Sequence, residues 1–299
     1  MDSFSGGSRR IPITTPIGDQ WVWTRRVGTG DIPLLVLHGG PGVGHEYLEC
    51  FDSFLPPAGI EVIHYDQLGC SYSAQPDDPS LWDLARFVDE VEQVRVALGL
   101  EDFYLLGQSW GGLLGMEYAL AYQEHLRGLV ISNMMSSGPA YNRYALDVLA
   151  PELDPAALAE IRQLEADGRH LEPRYEELLR PHYEAHVLRM PQAEWPDPVL
   201  RAFEHTNHDV YVPMQGPSEL GASGMLAEWD RSGDLGAITV PTLVIGAEHD
   251  TMDPEHLRWM AGQLPQGSYL HCPDGSHLCM YDDQAVYMAG LIAFLTAAR

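Results

Sequence analysis

A serine framed by glycines, a late aspartate and a still later histidine are the residues with which this chain could do chemistry. The serine is Ser109, in the run Gly107-Gln108-Ser109-Trp110-Gly111-Gly112. The apolar run Phe103–Leu106 leads into it, and an apolar segment of helical length, Leu113–Tyr122, follows. Strand, glycine-flanked serine, then helix is the context in which G-x-S-x-G sets a nucleophile on a sharp turn. Glycines two before and two after the serine are needed because side chains there would collide in the strained turn.

A serine hydroxyl attacks a carbonyl only when a base removes its proton, and the base, usually histidine, is oriented by a carboxylate. These partners belong on loops after late strands, in the order serine, acid, histidine. Gly246-Ala-Glu-His-Asp250 follows the apolar run 240–246, which makes Asp250 the candidate acid, with Glu248 and Asp253 as rivals. Asp274-Gly-Ser-His277 follows the run 267–272 and makes His277 the candidate base. The reaction also needs N–H donors for an oxyanion. The apolar run 34–38 enters His38-Gly39-Gly40-Pro41-Gly42, and the backbone N–H groups of Gly40 and Trp110 are the candidate donors. No G-K-[ST] follows these glycines and Pro41 breaks the G-x-G-x-x-G spacing, which argues against phosphate-loop and dinucleotide sites. His45-Glu46 and the pair His182/His186 suggest zinc-protease fragments, but no H-E-x-x-H is present. No metal and no cofactor is expected, and His182 and His186 read as surface histidines.

The elements that must hold these residues alternate. Residues 11–27 read as a strand pair; 34–38, 60–65, 103–107, 129–132, 240–246 and 267–272 read as further strands. Ser80 reads as the cap of a helix ending at Leu98, with helices also at 110–124, 254–264 and 283–298. Continuous apolar strands between helices predict an α/β fold with a mostly parallel, doubly wound sheet. From 138 to 235 the texture changes to an acidic, helix-like stretch without a clear buried strand. It reads as a helical cap inserted between core segments 1–137 and 236–299, over the sheet edge where such folds place their sites. Its Trp195, Tyr211, Met214 and Trp229 read mostly as core of that cap.

With 43 acidic residues against 17 Lys+Arg, the net charge of −26 argues against nucleic acid and anionic membranes as partners. No apolar run approaches membrane-spanning length, and the first ten residues lack the apolar stretch of a signal peptide. Cys50, Cys70, Cys272 and Cys279 form no C-x-x-C pair and read as thiols of a reducing compartment, the cytoplasm.

Taken together, H-G-G-P-G at 38–42, Tyr65-Asp-Gln-Leu-Gly69, G-Q-S-W-G-G at 107–112, Met214-Gln-Gly-Pro-Ser-Glu219, Gly246–Asp250 and Gly275-Ser-His277 resemble the proline iminopeptidase branch of the α/β-hydrolases. The resemblance spans about residues 10 to 298. It implies removal of an N-terminal residue, often proline, from short peptides. It also implies that a carboxylate, by position Glu219, holds the substrate's free α-amine. Some relatives carry a second amine-binding glutamate directly after the acid of the triad. Here that position is Thr251, with Glu248 and Glu204 as possible substitutes. Relatives with similar motifs also hydrolyse amino-acid amides or esters, which is the alternative reading. Asp66 reads as structural, fixing the loop beside the H-G-G-P-G turn.

Overall fold

The computed structural model of the chain describes residues 7–297; Met1–Gly6, part of the N-terminal stretch considered above, and Ala298, the last residue of the predicted terminal helix, lie outside them, as does Arg299. An eight-stranded sheet is built from β1 (Gly7–Thr15), β2 (Gly18–Val27), β3 (Ile32–Leu37), β4 (Ile60–Asp66), β5 (Phe103–Gln108), β6 (Leu126–Ser132), β7 (Thr242–Ala247) and β8 (Gly267–Cys272). The strand order is β1-β2-β4-β3-β5-β6-β7-β8. β1 and β2 form an antiparallel hairpin that joins β4 antiparallel, and every pairing from β4 through β3 to β8 is parallel.

Alternate residues of each central strand enter different cores. Leu35, Leu37 and Leu105 pack with Phe87, Val91, Leu113 and Leu257 of α1 (Leu84–Leu98), α2 (Trp110–Tyr122) and α8 (Pro254–Gln263). Leu34, Val36 and Leu106 pack on the other face with Phe51, Tyr287 and Leu291, the last two from α9 (Gln284–Thr296). Burial on both faces is why these strands read as continuous apolar runs.

Between β6 and β7 the described chain forms helices and loops with no strand: α3 (Gly138–Tyr144), α4 (Pro155–Ala166), α5 (Pro173–His182), α6 (Asp197–Glu204) and α7 (His208–Met214) are the longer helices. α6 is tied to the sheet domain by Glu46, whose fully buried carboxylate accepts from Arg201 at 2.5 Å, His205 at 2.7 Å and Tyr72 at 3.2 Å. A buried carboxylate with this many donors is stable only while all of them stay in place.

Two local readings change. Ser80 does not cap α1. It sits in a one-turn 3₁₀ helix, Pro79–Leu81, capped by Asp78, and Trp82 leaves helical geometry (φ −86°, ψ 65°) before Asp83 caps α1 through the Arg86 N–H. His182 and His186 are not surface residues. Both are buried, and His186 is held by the His249 carbonyl at 2.9 Å and by Glu152 at 2.8 Å.

The packing of α2 against the sheet makes a sharp test. A Cβ on Gly111 would lie 2.1 Å from the Leu37 carbonyl oxygen, whereas one on Gly262 near the end of α8 meets nothing within 4 Å. We expect Gly111→Ala to lower stability by about 3 kcal/mol or more in urea titration. Gly262→Ala should raise it by up to about 1 kcal/mol. Equal effects would show that the close approach is not a constraint.

Candidate active site

Ser109 stands between β5 and α2 with φ 55° and ψ −129°, a combination that costs a non-glycine residue strain of order 1–3 kcal/mol. Its N–H donates to the Ser132 carbonyl at 2.9 Å, and its carbonyl accepts from Gly112 at 2.7 Å. The expected steric role of the flanking glycines holds, since a Cβ on Gly107 would fall 1.9 Å from the Gly111 oxygen. The turn is therefore locked from both sides by backbone.

Asp250 lies just beyond β7, fully buried. Its Oδ1 is 2.7 Å from His277 Nδ1 and accepts the Met252 N–H at 3.1 Å. Its Oδ2 accepts from Asn133 Nδ2 at 2.6 Å. Asn133 itself adopts φ 54°, an accessible conformation for asparagine, directly after β6. The rival acids do other work: Glu248 pairs with His271 at 3.3 Å, and Asp253 caps α8 through the Glu255 N–H at 2.9 Å.

His277 follows β8, and its backbone is fixed by two elements. Its N–H donates to the His186 carbonyl at 2.9 Å, and its carbonyl accepts from Gln108 Nε2 at 3.0 Å. Burial works against a charge on the ring, but the Asp250 carboxylate outweighs burial and holds the pKa above the ordinary value. With Asp250 on Nδ1, Nε2 is the nitrogen left for a hydroxyl proton, and Ser109 and His277 line one cavity.

The H-G-G-P-G turn lies beside them. Gly39 is excluded as an oxyanion donor because its N–H is given to the Tyr47 hydroxyl at 2.6 Å. Gly40, at φ 111°, follows it, and a Cβ there would sit 2.8 Å from the nitrogens of Gly42 and Val43. Trp110 is the first residue of α2, so its N–H has no acceptor within the helix. Gly40, Ser109 and Trp110 line one cavity, which places both candidate donors beside the serine. Asp66, fully buried, accepts from the His45 backbone and ring at 2.8 Å each and from Tyr72 N at 3.1 Å, as a structural residue of this region should.

Glu219 lines three cavities. In the first it faces Ser109 together with Trp110, Leu113, Met134, Trp229 and Met252, a narrow and mostly apolar space. In the second it faces Ser109 and His277 with Val43 and Phe203. The third is a larger cavity that also contains Tyr183 and Tyr211. Three tyrosines hold it: Tyr211 donates to its carboxylate at 2.5 Å, Tyr141 donates to its carbonyl at 2.9 Å, and its N–H donates to Tyr183 at 3.3 Å. Of the aromatic and Met residues read as core, Trp195 and Met214 are core, whereas Trp229 and Tyr211 also line cavities.

Thr251 is fully buried behind His277, with its hydroxyl 3.1 Å from Nδ1. A side chain there faces the acid side of the ring. Of the possible substitutes, Glu248 faces His271, while Glu204 lines the larger cavity that Glu219 also enters.

Two residues that sequence reasoning passed over complete the frame. Gln108 joins the His277 carbonyl to the Tyr47 hydroxyl (2.7 Å), and Tyr47 in turn holds Gly39. Gln67 accepts from the Trp110 indole at 2.8 Å and donates to the His38 carbonyl at 3.1 Å. Burial lowers the His38 pKa to about 4, so its neutral Nε2 can accept the Gln67 N–H at 3.0 Å. Both glutamines lie inside the motifs, but nothing in a motif states their partners.

The sequence matches the α/β hydrolase fold family over residues 32–284. It is 53% identical over 289 residues to a proline iminopeptidase of Flavobacterium johnsoniae, covering 95% of this chain and 97% of the relative. It is also 53% identical over 291 residues to a proline iminopeptidase of Elizabethkingia meningoseptica, at the same coverage. The chain belongs to the proline iminopeptidase family of α/β-hydrolases. A crystal structure of the proline iminopeptidase of Mycobacterium smegmatis superposes with a TM-score of 0.85 at 31% identity, over 97% of this chain and 98% of that one. Within the fold of this family, the strained serine, the buried Asp250–His277 pair and the glycine turn form a constellation suited to acyl transfer.

The titration of His277 gives a direct check. The ring must be neutral to accept a proton, so kcat/KM should fall with decreasing pH along a limb centred above 6.5. Asp250→Asn should move that limb to lower pH and reduce kcat about 10³–10⁴-fold. A limb unmoved by the substitution would separate Asp250 from the titrating group.

Proposed function

We propose that this protein is a serine aminopeptidase of the proline iminopeptidase type, removing N-terminal proline or a small apolar residue from short peptides. The observation that carries the reading is the placement of Glu219. It is an acid in the wall of both cavities that contain Ser109, held by a tyrosine hydroxyl. A carboxylate there binds an ammonium group and disfavours a blocked, neutral amine.

In this mechanism the Ser109 hydroxyl attacks the carbonyl of the first residue while His277 Nε2 takes its proton. Asp250 orients the imidazole and stabilises its cation. The Gly40 and Trp110 N–H groups receive the oxyanion. Collapse of the tetrahedral intermediate breaks the peptide C–N bond, and His277 returns its proton to the leaving amine. Water, deprotonated by His277, then attacks the acyl-serine ester and releases the free amino acid. No step calls for a cofactor. The narrow apolar cavity bounded by Trp110, Leu113, Met134 and Trp229 suits a small first side chain.

The stretch 138–235 acts in this reading as a cap on a core made of 1–137 and 236–299, because it supplies Phe203, Glu219 and Trp229 to the cavities around Ser109. No described helix is long and apolar enough to cross a membrane. All four cysteines are free, which supports a reducing, cytoplasmic setting. The net charge of −26 supports partners other than nucleic acid or anionic membrane.

One observation favours a second reading, an amino-acid amidase or ester hydrolase. Thr251 stands where some relatives carry a second amine-binding glutamate, and it is turned toward His277. Rates on proline, alanine and leucine p-nitroanilides, free and N-acetylated, beside p-nitrophenyl acetate, discriminate the two. The aminopeptidase reading expects free amines to win by about a hundredfold, close to 2.7 kcal/mol. Equal rates on blocked and free substrates, with the ester dominant, would establish the second.

Two substitutions test the roles. Ser109→Ala should abolish nearly all turnover with the fold intact by circular dichroism. Glu219→Gln should lower kcat/KM for free-amine substrates about 10²-fold and leave acetylated ones nearly unchanged. Uniform loss on both would remove the amine-binding role.

A further inference from the structure

Resting on the aminopeptidase reading, we infer that a groove running from His277 past Phe203 to the Asp77–Asp209 surface binds the leaving peptide and favours cationic side chains there.

The direction follows from the chemistry. The amine of the first residue goes to Glu219 and its side chain to the apolar cavity beside Trp110. The leaving nitrogen must receive its proton from His277, so the rest of the peptide departs through the cavity that His277 lines. That cavity shares Val43, Phe203 and Glu219 with the larger one, of about 430 Å³. The larger cavity shares His170, Leu171 and His208 with a third, of about 580 Å³, which opens at the surface. Each of the two outer spaces falls in the size range of small-ligand sites. The three spaces thus adjoin in series from the nucleophile toward the outer surface, sharing walls at each step, and an extended chain advances about 3.3–3.6 Å per residue.

The walls have two characters. Leu171, 65% exposed, and Leu200, 41% exposed, offer apolar surface to passing side chains. Beyond them the charges are one-sided. Glu176 and Glu204 line the middle cavity and Asp77, Asp78 and Asp209 the outer one, against Arg180 as a facing cation. His208 does not offset them at neutral pH, because burial, helped by His170, lowers its pKa. A lysine or arginine two or three residues beyond the cleaved bond meets a favourable potential, and a glutamate an unfavourable one.

The test uses the full chain with prolyl p-nitroanilide, Pro-Ala, Pro-Ala-Ala-Ala, Pro-Ala-Ala-Lys-amide and Pro-Ala-Ala-Glu-amide. We expect kcat/KM about tenfold higher for the tetrapeptides than for Pro-Ala, since remote binding energy is available only to the longer substrates. The Lys peptide should exceed the Glu peptide about fivefold at low ionic strength, and the ratio should shrink in 0.5 M salt. In the double variant Glu204→Gln/Asp209→Asn the same ratio, measured within one enzyme, should move toward one. If the anilide and Pro-Ala are cleaved but length and charge have no effect, the groove does not bind the leaving peptide, while the aminopeptidase reading stands. If neither the anilide nor any peptide is cleaved, the aminopeptidase reading fails and the groove assignment falls with it.

Discussion

A serine at φ 55° is unfavourable alone, and here it is imposed by backbone packed against backbone. β5 must end, turn and enter α2 within van der Waals reach of β3, and neither Gly107 nor Gly111 leaves room for a Cβ. That packing leaves Ser109 and Trp110, the first residue of α2, in the wall of one cavity. It also brings Gly39 against Ser109, since a Cβ on Gly39 would lie 3.0 Å from that of the serine. Ser109 and the glycine turn are therefore one packing unit, and relaxing any part of it would move both.

The histidine is attached to that unit by polar contacts, which are directional and so fix its orientation as well as its position. Gln108, the residue before the serine, spans the His277 backbone and Tyr47. On the far side of the ring, Asp250 receives hydrogen bonds from Met252 and Asn133 as well as from His277. A buried carboxylate with its lone pairs occupied cannot easily swing away, so the imidazole has one tautomer and one orientation that satisfy it. Glu219 is held differently. Its backbone is pinned by Tyr141 and Tyr183, and its carboxylate takes one tyrosine proton. One carboxylate is built to serve a protein group, and the other retains capacity for a ligand.

The helices between β6 and β7 supply walls rather than reacting groups. Their position depends on contacts with the sheet domain: α6 through Arg201 and His205 on Glu46, and the segment after α5 through His186 and Val187 on the loop bearing His277. The second contact means that the histidine loop and the cavity wall are set by the same backbone hydrogen bonds.

Much of this was readable in the sequence because its causes are local. The glycines around Ser109, the apolar strands and the order of serine, aspartate and histidine follow from sterics and from burial on two faces. What failed or stayed open was non-local. Ser80 looked like a cap because its type is right, yet Trp82 breaks the helix and Asp83 takes the role. His182 and His186 read as surface histidines, yet tertiary packing buries them. The contact between Asp250 and His277, the turning of Thr251 toward the same ring and the bridge from Gln108 to a residue 169 positions away needed the folded chain. Hydrogen bonds depend on distance and angle between groups that the sequence leaves far apart. The amino-acid order determined which groups this protein has for chemistry, and the tertiary structure decided which of them meet.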